Sequence, residues 1–342
     1  MAASLPSTMK AWQYTDASGG LEKALHLNTS ASLPPTGTSL GSEQALVEVE
    51  YASLNPVDYK LPEIPIVGRL AISKPATPGL DYAGRVVAAG SHSRLKVGQM
   101  VFGKLDNPKQ QFGTLAEYTV TPRAGTVPVP DGVSAEDAAC VGVAGLTAYQ
   151  CITPNVKSGE NVFINGGSGG TGTFGIQIAK ALGCHVTVTC SGANEALCRK
   201  LGADQVIDYQ KQDPVEALKS SGKKFDLVVD NVGMNSQLYY QCHHFTKATA
   251  KYVAVGMQPG LGAMRDLVTR FIWPTWLGGG QRKFVFLMAH TDYNAYAQIG
   301  QWMAEGKVKP VIDEVFAMED VPNAFEKLKT GRAKGKVVVK VH

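Results

Sequence analysis

The sequence predicts an α/β protein in which a β-rich first part is followed by a doubly wound, six-stranded parallel sheet. Three observations carry this. Residues 10–130 hold short strand-like runs punctuated by Pro and Gly; from 134 onward apolar runs alternate with helical stretches; and a glycine-rich turn, GGSGGTG, joins the first of those runs to a helix. At about 100 to 200 residues per domain, 342 residues imply two domains with ample core. Glycine, 37 of 342 residues, stands at about 11% against a usual value of roughly 7%. No GxY period accompanies the excess, so it marks turns and close backbone approaches.

In the first part EQALVEVEYASLN, GRVVAAG, GQMVFG and LAEYTV alternate or cluster apolar residues as antiparallel strands do. Ser134 and Asp137 stand in capping positions before the helical run AACVGVAGLTAYQCI. Strands are then predicted at 161–165, 185–189, 205–208, 225–230, 251–255 and 284–289. Between the first two, Phe174, Ile178, Ala181 and Leu182 share one helix face. Short apolar strands separated by helices make a parallel sheet covered on both faces, and six complete a doubly wound one. Past 290 come a helix ending near Gly306, the segment KVKPVIDEVF, a helix EDVPNAFEKLKT stopped by Gly331 and a closing strand KVVVKV. These are expected to rejoin the first part, giving domains at 1–130 and 131–290 and a completing segment at 291–342.

Net charge is +4 (33 basic against 29 acidic residues), too small a surplus to argue for a nucleic-acid partner. The C-terminal part carries Lys327, Lys329, Arg332, Lys334, Lys336 and Lys340 against Glu326. It is either a solvated face or, at Lys336, a contact with an anionic cofactor. The N-terminus shows no secretory or mitochondrial pattern, and no run approaches the roughly 18 to 20 apolar residues of a membrane span; a cytoplasmic protein is expected. Six cysteines without a CxxC pair fit reduced thiols, and the adjacent His243 and His244 point about 100° apart on a helix, so no metal site is expected.

The turn after 161–165 has the pattern GxxGxxG at Gly166, Gly169 and Gly172, with Ser168, Gly170 and Thr171 between, directly before a helix. Positions without side chains let backbone N–H groups approach a pyrophosphate, and the helix N-terminus adds positive partial charge. A site selective for NAD places a carboxylate at the end of the second strand, where this chain has Thr189, Cys190, Ser191 and Gly192. NADPH is therefore favoured over NADH, with Ser191 offering a hydroxyl. A basic partner is not obvious: Asn194 stands where a lysine would have convinced, and Arg199 lies more than a turn further on. Asn231, Val232 and Gly233, and then Val255, Gly256 and Met257, follow strands at the carboxyl ends where such sheets bind ligands.

In order, ASLNPVDYK, PGLDYAGRVVAAG, VGQMVFG, GTLAEYTV, LTAYQ, GGSGGTG, LGADQVIDY and the GKVKPVID-type ending make the chain similar to the medium-chain dehydrogenase/reductase superfamily, in its zinc-free quinone oxidoreductase-like and enoyl reductase branch. The resemblance implies a GroES-like catalytic domain, completed by the C-terminal segment and facing a Rossmann domain across a cleft. Zinc alcohol dehydrogenases need Cys where this chain has Asn55, a GHE triplet where it has Gly79, Leu80 and Asp81, and a four-cysteine lobe near 104–113, which holds no cysteine. The expected chemistry is hydride transfer from NADPH to an activated C=C bond of an enone, alkenal or enoyl intermediate, or to a quinone.

The same resemblance places Asn55 by the nicotinamide ribose and Tyr59 and Lys60 near the substrate. Lys60 matches the lysine of the NPxDWK motif of fungal trans-acting enoyl reductases, a proton donor; the alternative is a surface lysine. Asp58 and Asp81 are read as bracing turns. Thr147 lies beside the nicotinamide or bonds back to its own helix turn, and Tyr209 lies beside the adenine or packs in the protein. Phe271 to Leu277 would line a substrate pocket, enter a dimer contact or join the core, and FVFLMA would pair across a homodimer axis. A different class of function is a cofactor-binding protein without catalysis, associated with RNA or a membrane surface.

Overall fold

The computed structural model describes residues 5–36, 39–107, 109–122, 124–255 and 261–342. The chain divides into two compact units. The first comprises Met1–Leu146, His290–Gly306 and Pro310–His342, and the second Thr147–Ala289 with Lys307–Lys309. The first unit thus runs beyond residue 130, because the helix Ala135–Ala139 packs on its strands and Val143 N donates to Asp81 Oδ1 at 2.8 Å. As expected, Ser134 Oγ caps that helix, accepting from Asp137 N at 3.0 Å.

Among the described residues, the first unit's main sheet runs in the order Ile312–Ala317, Lys336–Lys340, Ala45–Leu54, Asp81–Ala89, Met100–Lys104, Thr126–Pro128, with Tyr118–Thr121 also paired to Ala45–Leu54. Only the first pair is parallel. The segment KVKPVIDEVF thus contributes an edge strand. Lys336–Lys340 lies inside the sheet, its Val337 and Val339 buried with Val47, Val49, Leu54, Val101 and Phe325. Each such side chain removed from water contributes about 1.5–3 kcal/mol. Two short helices, Pro56–Glu63 and Pro65–Leu70, interrupt the β-rich part.

The second unit holds a six-stranded, all-parallel sheet among the described residues, in the order Gln205–Asp208, His185–Cys190, Asn161–Asn165, Phe225–Asp230, Thr246–Ala254, Lys283–Phe286. From the middle of the sheet outward, each set of three strands runs in chain order, one set to either side. The topological switch therefore falls between Asn161–Asn165 and Phe225–Asp230, where an open α/β sheet leaves a crevice for a ligand. Phe163, Phe225, Phe245 and Tyr252 form one core cluster. Phe271, Ile272, Trp273, Trp276 and Leu277 are each more than half exposed, so the core reading of that segment gives way. The ring of Phe271 stands edge-on to Phe284 with centroids 5.0 Å apart.

Candidate active site

In the second unit the glycine turn is shaped before any ligand enters it. Gly166 adopts φ +83°, a conformation strained for residues with a Cβ, and its N–H donates to Thr189 Oγ1 at 2.8 Å. Thr189 Oγ1 donates in turn to Asn165 Oδ1 at 2.6 Å, so the second strand holds the end of the first. The helix Gly170–Ala181 begins at an N-cap, Gly169, that supplies no capping side chain, leaving its first N–H groups for a ligand. A Cβ on Gly169 would meet only Gly166 O, at 4.0 Å, whereas one on Gly172 would lie 2.1 Å from that oxygen. Gly169 opens the cradle and Gly172 brings the helix onto it. Thr171, half-buried, follows Gly170 in the first helical turn.

Beside the cradle Ser168 Oγ accepts from Asn194 Nδ2 at 3.1 Å, while Asn194 Oδ1 is buried without a partner. Asn231 is orphaned on both side-chain atoms. Buried amides in that state ask for polar atoms of a ligand, and the set fits a dinucleotide whose pyrophosphate lies on the helix N-terminus. Asp230, which sequence reasoning passed over, organises the turn that follows its own strand. Fully buried, its Oδ1 accepts from Val232 N at 3.0 Å, Gly233 N at 2.9 Å and Asn165 Nδ2 at 2.8 Å, and its Oδ2 from Tyr252 OH at 2.6 Å. An acidic residue closing the apolar run FDLVVD was the available signal. Val255 N donates to Asp230 O at 2.9 Å; Gly256 and Met257 lie outside the described residues. Ser191 O accepts from Asn194 N at 2.8 Å, Tyr209 is 54% exposed and so is not a packed tyrosine, and Thr147 is buried on the helix Gly142–Ile152.

In the first unit the NPVDYK segment forms the start of the helix Pro56–Glu63. Proline at the first helical position carries no N–H to leave unbonded, and Asp58 Oδ2 reaches back to accept from Asn55 N at 2.7 Å. Asn55 Oδ1 accepts from Lys336 Nζ at 2.5 Å. That ammonium also donates to Leu54 O at 3.0 Å and Asp81 Oδ2 at 3.2 Å. Three protons meet three acceptors, so Lys336, read from sequence as a contact for an anionic cofactor, here holds Asn55 and Asp81 in place. Lys336 is 2% exposed and Asp81 wholly buried, with Ser53 Oγ 3.1 Å from Asp81 Oδ2.

Tyr59 and Lys60 are half-buried on the same helix. Burial pushes the Lys60 ammonium below its ordinary pKa. Burial and the Glu63 carboxylate push the Tyr59 hydroxyl up, and Lys329, paired with Glu22 and Glu63, stands 5.1 Å from the Tyr59 ring centroid. Asp58 is buried with Oδ1 lacking any partner; burial first, then the Asp81 charge, raise its carboxyl from 3.8 to about 8. A group whose folded pKa lies above its unfolded value stabilises the fold at low pH and loses that contribution as pH rises towards the folded pKa. Between about pH 5 and 8 the unfolding free energy should therefore fall, by at most about 1.4 kcal/mol per pH unit for one proton. In Asp58→Asn this slope should disappear in urea titrations across that range; identical slopes would show that Asp58 titrates as an ordinary carboxylate.

Among the described residues, no group of three or more His, Cys, Asp or Glu side chains is placed to hold a metal ion, and no helix is long and apolar enough to cross a membrane. Residues 41–131 match the alcohol dehydrogenase GroES-like domain and residues 201–339 the zinc-binding dehydrogenase family. The chain is 51% identical to the trans-enoyl reductase pgmF of Aspergillus terreus, over all of this chain and 98% of that one. It is 34% identical to the 2-methylene-furan-3-one reductase of Solanum lycopersicum, over 98% of this chain and 80% of that one. The quinone oxidoreductase structure from Coxiella burnetii superposes with a TM-score of 0.82 at 30% identity, covering 98% of this chain and 99% of that one. The parallel sheet with its glycine cradle, the GroES-like unit and these likenesses agree: the chain is a nicotinamide-dependent oxidoreductase of the medium-chain dehydrogenase/reductase superfamily and belongs to its quinone oxidoreductase and enoyl reductase branch.

Proposed function

We propose that the protein is an NADPH-dependent, zinc-independent reductase of activated carbon–carbon double bonds, with an enone, alkenal or enoyl thioester as substrate. The identity of 51% along the whole chain to a trans-enoyl reductase carries the reading. When bound, the nicotinamide cofactor would supply hydride for the β-carbon of the conjugated system. The electron pair then moves to the carbonyl oxygen and the α-carbon takes a proton. Lys60 is the residue to deliver that proton or to stabilise the oxygen: its ammonium is a donor, and burial brings its pKa towards the working range. In this reading Asn55, held by Lys336, and Thr147 serve the nicotinamide end of the cofactor. Where zinc dehydrogenases carry ligands this chain has Asn55, Leu80 and Asp81, and the Lys336 ammonium lies on two of them. The reading also includes a cytoplasmic homodimer, joined along the edge strand Lys283–Phe286 with the exposed Phe271 to Leu277 segment beside it.

Side-by-side turnover with NADPH on an enal, an enoyl thioester and a simple quinone tests this. A preference of about 100-fold for a conjugated carbonyl is expected, equal to some 2.7 kcal/mol in the barrier. A reversed preference would make the enzyme a quinone reductase, the activity named for the Coxiella burnetii structure. Lys60→Met should lower kcat by on the order of 100-fold, the usual share of a positioned proton donor, while leaving NADPH affinity nearly unchanged. Unaltered turnover would remove Lys60 from the reaction.

A further inference from the structure

We propose that Lys211 supplies the positive charge that receives the 2′-phosphate of NADPH, at a subsite formed by the ends of two neighbouring strands. The assignment rests on the NADPH reading above and names the cation which that reading lacks. In a dinucleotide-binding sheet the adenosine ribose lies at the carboxyl end of the second strand. Here that strand, His185–Cys190, pairs in parallel with Gln205–Asp208, and Cys190 stands opposite Asp208. The turn after the third strand is tied to the end of the second, because Tyr209 N donates to Cys190 O at 3.3 Å. Lys211 belongs to that turn, its N–H donating to Asp208 O at 3.0 Å. From there its ammonium reaches back across the strand ends: a Cβ placed on Gly192, the residue after Ser191, would lie 3.8 Å from Lys211 Nζ.

A basic side chain on the helix after Ser191 is already engaged. Arg199 is held by Glu195, one turn earlier on its own helix, at 2.8 Å. Asn194 is neutral and gives its amide to Ser168. The nearby carboxylate works against a phosphate: Asp208 Oδ2 would lie only 2.6 Å from a Cβ on Gly192. Lys211 Nζ stands 3.6 Å from that oxygen, and Asp208 Oδ1 accepts from Gln210 N at 3.0 Å, which fixes the carboxylate locally. Lys211 therefore acts twice. It offsets Asp208, and, with a side chain 79% exposed, it leaves ammonium protons facing outward for an incoming dianion. Ser191 and the orphaned Asn194 Oδ1 lie on the same rim.

The test is calorimetric titration of the full chain with 2′,5′-ADP and with 5′-AMP, which differ only in the 2′-phosphate, alongside fluorescence titration with NADPH and NADH. The wild-type chain should bind 2′,5′-ADP at least about tenfold tighter than 5′-AMP. Lys211→Ala should weaken 2′,5′-ADP by about 10- to 100-fold, the range for a lost hydrogen bond to a charged group, and leave 5′-AMP within about twofold of wild type. Because Asp208 is then no longer offset, NADH should come to bind as well as NADPH. Adding Asp208→Asn or Asn194→Lys to Lys211→Ala should return part of the loss. A Lys211→Ala chain that keeps the wild-type ratio overturns the assignment and leaves the NADPH reading standing. A wild-type chain without preference for 2′,5′-ADP overturns both.

Discussion

Lys336→Met should lower the unfolding free energy in urea by about 3–5 kcal/mol, the usual cost of removing one partner from a buried ion pair. That is a large share of the roughly 5–15 kcal/mol that holds a folded domain. Methionine matches the length of the lysine stem, so little volume is lost. What is lost is the charge facing Asp81, which is wholly buried and, among the described residues, keeps Ser53 Oγ and Val143 N as neutral donors. Leu54 O and Asn55 Oδ1 lose their donor at the same time. Adding Asp81→Asn should restore part of the stability, because a neutral amide needs no counter-charge. If Lys336→Met alone unfolds at the wild-type urea concentration, the trio of acceptors does not hold the ammonium as described.

The second large effect belongs to Gly172→Ala. Its Cβ would stand 2.1 Å from Gly166 O and 2.7 Å from Gly167 C, both backbone atoms that cannot turn aside. The helix Gly170–Ala181 must then shift away from the turn. Overpacking of this kind costs about 1–3 kcal/mol, and at tenfold per 1.4 kcal/mol the same displacement should weaken nucleotide binding by on the order of 10- to 100-fold. Gly169→Ala provides the contrast, since a Cβ there meets nothing nearer than Gly166 O at 4.0 Å. It should leave thermal stability almost unchanged and weaken binding only by occupying the ligand's space. Fluorescence titration with NADPH, paired with a melting curve for each variant, separates the two. Equal stability losses would show that the helix does not rest on the turn.

The two halves of the fold were unequally legible. Strands such as Asn161–Asn165 and Phe225–Asp230 are buried on both faces, so each writes itself as a continuous apolar run, and their ends fell where the runs end. The helix Pro56–Glu63 was hidden by the internal Pro62 and by its brevity. The Asn-x-x-Asp spacing of Asn55 and Asp58, with Pro56 at the first helical position, was its local sign. The glycine cradle was readable because phosphate chemistry dictates residues at fixed short spacing. The neighbourhood of Lys336 was not, since its amine meets Asn55 across 281 residues and no local pattern encodes that meeting. Lys211 escaped notice for a related reason: it reaches the end of the second strand from the turn after the third, not from the segment following Ser191.

The strand Lys336–Lys340, lodged between Ile312–Ala317 and Ala45–Leu54, also sets an order of events on the ribosome. Residues 147–289 form one nearly contiguous unit, able to collapse as soon as it has emerged, because domains generally fold as units during synthesis. The earlier-made unit waits: until Lys336 arrives, Asp81 and Asn55 lack their cation, and the strand Ala45–Leu54 has one edge open along Tyr51 to Leu54. An open strand edge is a template for pairing with another chain. Slow or interrupted translation past residue 290 should thus favour aggregation through the first-made residues, while the nucleotide-binding unit is already complete but for Lys307–Lys309.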